Sequence, residues 1–389
     1  MSAKNKMNRF LFMPDSFKGT LSSQQVCDTL TKAALKIIPD CKCKSIYVAD
    51  GGEGTVDSFL SALNGEKHYV KVKGPYMETM RTYYGLINDG DTAIIEVASC
   101  AGLDIVKNHK NPMLTTTFGV GEQLLDAAEQ GVKRIIIGLG GSCTNDGGCG
   151  AAAAVGIKFL NKEGVSFIPT GGTLKDICKI DTSGLDNKLK NIEILAMCDV
   201  DNPLCGKNGA AYIFGPQKGA DLTTVYELDR GLMHLSNIIW HDLGFKVASI
   251  KGAAAAGGMG AGMLTFFNAQ LKRGIEIVLD TVNFEEEIKD IDIIFTGEGK
   301  IDIQSLRSKV VLGIAKRAMR YKKPVIAVVG QSEDSTVSEV FKQGVTAIFP
   351  INRRAEDLSI SQYISVDNLR YTAENIFRLI KTMQSQSHN

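Results

Sequence analysis

Six segments of this 389-residue chain are rich in small residues, and five of them mix these with carboxylates, hydroxyls, amides or lysines. They are residues 14–19 (PDSFKG), 50–54 (DGGEG), 138–148 (GLGGSCTNDGG), 198–203 (CDVDNP), 257–260 (GGMG) and 296–302 (TGEGKID). Glycines bare their backbone N–H groups, and a helix N-terminus behind them adds the positive end of a dipole; together these suit phosphate. Carboxylates in the same loops suit Mg²⁺, which takes one or two protein carboxylates and completes its shell with phosphate oxygens and water. With Lys18, Lys218 and Lys309 alongside, the set points to phosphoryl transfer, a reaction that needs charge neutralisation and positioning more than covalent catalysis. Any one such loop reads more readily as a tight turn; turns alone would not bring so many carboxylates beside the glycines.

Several familiar sites are excluded. Neither GxxxxGK[ST] nor the protein-kinase HRD and DFG motifs occurs, and no GxGxxG follows the first apolar run. His68, His109, His234, His241 and His388 all fall outside the six loops. Cys143 and Cys149 flank the TNDGG turn but read as small buried hydrophobes rather than a redox pair. Trp240, the one tryptophan, is expected in the core.

The loops need strand ends to hold them. Residues 8–14 read as a short buried strand. Ser22 and Gln25 form a capping box for a helix reaching about Pro39, and 44–50 read as a second strand. Residues 70–72, 81–87 and 92–97 read as strands of a sheet with hairpin connections, 115–130 as a helix, and 134–139 as a strand running straight into a glycine loop. Residues 192–200 form a further strand and 222–243 a long helix closed by Gly244. From 291 the rhythm is strand (291–296), helix (309–321), strand (324–329), helix (336–343), strand (347–351), helix (361–381), which predicts a parallel sheet with right-handed crossovers. The expected fold class is α/β with two domains. A Rossmann-like or flavodoxin-like parallel sheet is built from both chain ends (1–75 and 276–389), and a mixed-sheet α/β domain (76–275) is inserted into it.

Composition bounds the partners. Lys and Arg number 44 against 43 Asp and Glu, a net charge of +1, so there is no electrostatic footprint for nucleic acid or an anionic membrane. The 44% hydrophobic content supplies a large core. Nine cysteines without a CxxC or a Cys/His finger spacing argue against structural zinc. The opening residues 1–6 are short and polar and no signal-peptide core is expected after them, and residues 253–267 are too short and glycine-broken to span a bilayer. A cytoplasmic monomer or homodimer with free thiols is expected.

At these loops the sequence resembles the bacterial glycerate kinase family, from residue 14 to about 351. Residues 49–55 match its ADGGEGT, and 141–148 match GSATNDGG except at Cys143. Residues 198–204 (CDVDNPL), 214–220 (FGPQKGA), 255–260 (AAGGMG) and 296–302 also follow the pattern. The family's DxQTxxGKxP becomes Asp302-Ile303-Gln304-Ser305-Leu306-Arg307-Ser308-Lys309-Val310, with Ser308 in place of its glycine. Ser308 would either crowd the loop or cap the helix that follows.

The resemblance implies transfer of the ATP γ-phosphoryl to D-glycerate with Mg²⁺, giving 2-phosphoglycerate, in a cleft between the two domains. Chemistry then assigns roles: Asp199, Asp302 and Lys309 as catalytic, with Asp199, Asp302 and Glu298 as metal ligands. Asp15, Ser16, Lys18, Asp50, Glu53, Asn145 and Lys218 are assigned to substrate. Gly140, Gly141, Ser142, Thr144, Gly257, Gly258 and Gly260 are assigned to phosphate and nucleotide. Two other readings stay open: a nicotinamide-dependent dehydrogenase of a small hydroxy acid, against which the missing GxGxxG speaks, and a non-catalytic sugar-acid sensor on the same fold.

Overall fold

The computed structural model describes residues 7–17, 19–48, 51–302, 310–354 and 362–386. Its strands are β1 (Arg9–Phe12), β2 (Lys42–Ser45), β3 (Glu66–Lys73), β4 (Thr79–Ile87), β5 (Thr92–Glu96), β6 (Arg134–Gly138) and β7 (Lys158–Leu160). They continue with β8 (Ser166–Phe167), β9 (Lys179–Asp181), β10 (Glu193–Met197), β11 (Gln270–Lys272), β12 (Ile293–Ile301), β13 (Val325–Ser332) and β14 (Ala347–Pro350). The chain divides into two compact units, 1–49 with 275–389, and 50–274.

The first unit is a five-stranded, fully parallel sheet in the order β14-β13-β12-β1-β2. Ser22 caps the helix Ser23–Ile37, and Gln25 returns the bond, as the capping box requires. That helix packs beside the helix Ser365–Gln386. Between helices and sheet sits an aromatic cluster: Phe295 meets Phe377 at 5.1 Å and Phe10 edge-on at 5.9 Å, all fully buried. One expectation fails here. The TGEGKID segment is not a loop after a strand ending at 296; β12 runs on to Ile301, in register with β13 as far as Ser332. A neighbouring strand of matching length supplies backbone partners that the glycine-rich sequence did not advertise.

The second unit holds a six-stranded mixed sheet, β11-β10-β6-β5-β4-β3, and a small antiparallel sheet, β8-β7-β9. β5, β6, β10 and β11 are mutually parallel; β3 and β4 add an antiparallel hairpin at the other edge. This unit starts before the expected boundary at 75/76 because β3 pairs along its whole length with β4, and the helix Thr55–Leu63 covers the same sheet. Gly85 makes room there: a Cβ on it would come within 3.1 Å of Val56 and 3.0 Å of Leu60.

The helix Leu222–Leu243 has the expected bounds, with Asp221 accepting from the Thr224 N–H and Gly244 left-handed at φ 70°. Its buried stripe is Val225, Leu228, Leu232, Leu235 and Ile239. Trp240 stands one position past that stripe, so it turns outward and is 56% exposed, correcting its placement in the core. Cys143 and Cys149 are buried as expected. Among the described residues no helix is long and apolar enough to cross a membrane.

Candidate active site

In the second unit the glycine loops gather at the carboxyl edge of the parallel strands, where α/β sheets bind ligands. β6 ends at Gly138, beside Met197 of β10. Residues 51–52 lie against the start of the next loop: the Gly140 N–H donates to Gly51 O at 2.8 Å. A Cβ on Gly138 would fall 2.4 Å from Gly51 O, and one on Gly140 would fall 2.7 Å from Gly52 Cα. The loop is then stitched to residues 101–103 by Cys143 N–H to Ala101 O (2.8 Å) and Leu103 N–H to Gly141 O (2.9 Å).

Asp146 organises the turn that follows. It is fully buried. Its Oδ2 accepts from Thr117 N–H (2.7 Å), Thr117 Oγ1 (2.8 Å), Thr116 Oγ1 (3.3 Å) and Gly150 N–H (3.2 Å); its Oδ1 accepts from Gly148 N–H (3.1 Å). Burial raises its carboxyl above the ordinary value even against these donors. The same turn presents Thr144 Oγ1 and both amide atoms of Asn145, all buried and without a hydrogen-bond partner among the described residues. Buried polar groups are almost always satisfied, so such a group marks a place for a water or ligand.

Lys218 lies beside them and is only 3% exposed. Its Nζ donates to Ser142 Oγ at 2.8 Å and to Thr144 O at 2.7 Å. Both partners are neutral oxygens. Burial therefore pulls the ammonium down to about 8. Lys218 is therefore a buried charge rather than a solvated one.

The glycines of 257–260 pack against neighbouring backbone. Ala256, Gly257 and Gly258 are all left-handed, at φ 52°, 68° and 92°. Gly257 O accepts from Gly147 N–H at 3.1 Å, and a Cβ on Gly257 would lie 1.9 Å from Thr144 O. A Cβ on Gly258 would lie 2.9 Å from Gly147 Cα, and one on Gly260 2.2 Å from Gly252 O. The close approach they permit is to the 144–147 turn and its neighbours.

At the end of β10, Asp199 Oδ1 accepts from Gly274 N–H at 3.0 Å, and its carbonyl accepts from Arg273 Nη1 at 3.2 Å. Arg273 Nη2 also grips Asp201 at 2.9 and 3.1 Å. Glu53 is exposed, and its carboxyl is raised, by desolvation first and then by neighbouring Asp104. Glu96, at the end of β5, is buried; its Oε1 accepts from Val56 N–H at 2.6 Å, and burial pushes its carboxyl up to about 7.

In the first unit Asp15 N–H donates to Gly297 O at 2.9 Å, and Asp15 Oδ1 accepts from Ser16 N–H at 2.7 Å. Glu298 is 4% exposed, within β12. Lys300 Nζ pairs with Glu333 at 2.5 Å and reaches Asp302 at 3.7 Å. Lys18, Asp50 and Lys309, together with Ser308, lie outside the described residues. Among the described residues no three His, Cys, Asp or Glu side chains converge on a point where they could hold a metal ion.

The glycerate kinase family model matches residues 10–381. A glycerate kinase of Halalkalibacterium halodurans is 44% identical over 95% of this chain and 97% of its own length. The chain belongs to the glycerate kinase family. A glycerate 2-kinase of Escherichia coli is 42% identical over 95% of the chain and 97% of that protein. A crystal structure from Salmonella typhimurium, assigned as a glycerate kinase 2, superposes with a TM-score of 0.85 at 39% identity, covering 98% of this chain and all of that one. Family membership accounts for the shared loops and speaks for a kinase over a dehydrogenase.

For a glycerate kinase, then, the second unit brings together Gly140, Gly141, Ser142, Thr144, Asn145 and Lys218, with Asp199 at the end of the neighbouring strand. Asp15, Ser16, Glu298 and Asp302 belong to the other unit. Sequence reading missed Asp146, whose signal was the Thr115-Thr116-Thr117 run that supplies its donors. It also missed Glu96, a carboxylate closing an apolar strand, and Arg273, which ties down both Asp199 and Asp201.

Proposed function

We propose that this chain is an ATP-dependent kinase of D-glycerate that phosphorylates the 2-hydroxyl and releases 2-phosphoglycerate. The observation that carries the reading is the buried Lys218 ammonium holding Ser142 and Thr144 beside the unpartnered side chain of Asn145. A cation in a dry, prefixed setting stabilises charge that develops on a transferring phosphoryl group without reorganising at the moment of reaction. The substrate hydroxyl oxygen forms the new bond to the γ-phosphorus as the bond to the β-bridging oxygen breaks and ADP leaves. The hydroxyl proton passes to a carboxylate, for which Asp199 and Asp302 are the candidates, and from there to solvent.

Asn145 and Ser142 orient the acceptor or the phosphoryl oxygens; Asp15, Ser16, Lys18, Asp50 and Glu53 are candidates for substrate contacts by the family's motifs, and Lys309 for a phosphate contact. The oxygen-only donors Asp199, Glu298 and Asp302 suit Mg²⁺, which when bound supplies further neutralisation of the phosphate charge. A cytoplasmic setting is in keeping with nine unpaired cysteines.

The test is ADP release from MgATP with D-glycerate, with the product read by phosphorus NMR against 2- and 3-phosphoglycerate standards. A 3-phosphoglycerate signal refutes the regiochemistry. Binding of D-glycerate without ADP release favours the sensor reading instead.

A further inference from the structure

At the carboxyl ends of β10 and β11 the second unit holds a pocket of about 200 Å³ whose lining includes Cys198, Leu271, Asp201, Lys251, Lys272 and Arg273. Three cations against one carboxylate give this lining a charge of +2. The carboxylate is already engaged, because Arg273 holds both oxygens of Asp201. Lys251 and Lys272 are thus left without a carboxylate in the lining to answer them. The Cys198 thiol donates to Val200 O at 3.5 Å and to Gly252 O at 3.6 Å and forms a wall of the pocket. Asp199, outside the lining, directs Oδ1 to Gly274 N–H. Gly252 keeps the pocket's shape: it is left-handed at φ 85°, and a Cβ there would meet Cys198 Sγ at 2.8 Å.

We propose that this pocket binds a phosphoryl group as a dianion, with Lys251 and Lys272 neutralising it and the braced Arg273 fixing its orientation. Charge selects the ligand class: +2 answers a phosphate dianion, whereas a single carboxylate would leave it half-answered. Size agrees, because drug-sized ligands take pockets of about 300–1,000 Å³; this one holds a phosphoryl group and leaves the remainder of the molecule outside. Position agrees too, at the carboxyl ends of parallel strands. The group comes either from a nucleotide or from a phosphorylated acid. Only that choice rests on the kinase reading, since the pocket and its charge stand without it.

The experiment is calorimetric titration of the intact wild-type chain and of Lys251→Met/Lys272→Met with inorganic phosphate, ADP, 2-phosphoglycerate and D-glycerate. Losing two charge-assisted contacts should weaken phosphate by about tenfold or more, with D-glycerate unchanged within about twofold. A parallel loss for ADP assigns the nucleotide as source; a parallel loss for 2-phosphoglycerate assigns the phosphorylated acid. Lysines beside an edge strand also deter strand pairing; that role alone predicts aggregation with phosphate affinity intact, and that result overturns the proposal. So does loss of D-glycerate affinity alone, or no phosphate binding by the wild type. Lys251→Gln, at an exposed position, gives a second variant that will fold, with a smaller loss in the same direction. Failure of the kinase reading shows as absent ADP release, while the phosphate arm remains readable.

Discussion

Replacing Lys218 by Met separates catalysis from folding. The buried ammonium sits at about 8, against about 10.4 for a lysine in the unfolded chain. At pH 7 both states are protonated, so the folded protein carries the full cost of burying the charge, roughly 3 kcal/mol. Between pH 8 and about 10.4 the folded state has released a proton that the unfolded state keeps, and stability rises with pH. Met removes that cost but leaves Ser142 Oγ and Thr144 O without their donor, at about 1–3 kcal/mol each. Central values nearly cancel, leaving a net loss of about 1 kcal/mol, or 2–4 °C in Tm for a unit of this size. Activity has no such offset: losing one preorganised charge costs about 10²–10³ in kcat. The assay is coupled ADP release from pH 6 to 10, with calorimetric Tm at each pH. In the wild type kcat/KM, which reports the free enzyme, should fall above about pH 8 as Nζ deprotonates; the variant should lack both that limb and the alkaline gain in stability. A variant within threefold of wild type in kcat/KM at pH 7, or one whose activity loss follows only its unfolded fraction, refutes the assignment.

Glu96→Gln keeps the acceptor for Val56 N–H and drops the charge. Because the folded carboxyl titrates near 7, the wild type should lose stability relative to the variant as pH rises from about 4.3 to 7, by up to about 3 kcal/mol, read from urea midpoints at pH 5 and 8. Gly257→Ala forces a Cβ to within 1.9 Å of Thr144 O at φ 68° and should cost about 2 kcal/mol or more of stability, measured by thermal denaturation; a neutral Tm would show that the 144–147 turn yields. Chelation with excess EDTA should abolish turnover while leaving circular dichroism unchanged, and full activity in EDTA would remove the metal from the reaction. Lys309→Met should lower kcat by about 10²–10³ with a smaller change in KM for ATP, and turnover within threefold of wild type would remove it from the site.

Local pattern alone carried the capping box at Ser22, the long helix with its Gly244 stop, and the parallel strand–helix rhythm of the C-terminal third, because each depends on residues three or four apart or on alternating apolar runs. The loop motifs also named the residues that now surround Lys218. What sequence left undecided was burial. Lys218 reads as a substrate contact, but its burial stays open until Ser142 and Thr144, 76 and 74 positions earlier, close over it. Gly257 reads as a ligand-facing glycine until Thr144 O takes the space a Cβ would need. The end of β12 reads as a loop until β13 offers partners. Asp146, Glu96 and Arg273 escaped notice because their roles depend on groups brought from 29, 40 and 74 positions away. Desolvation and hydrogen bonding over such spans are set by how the chain packs, and they decide whether a charged side chain is solvated or held dry against a reacting group.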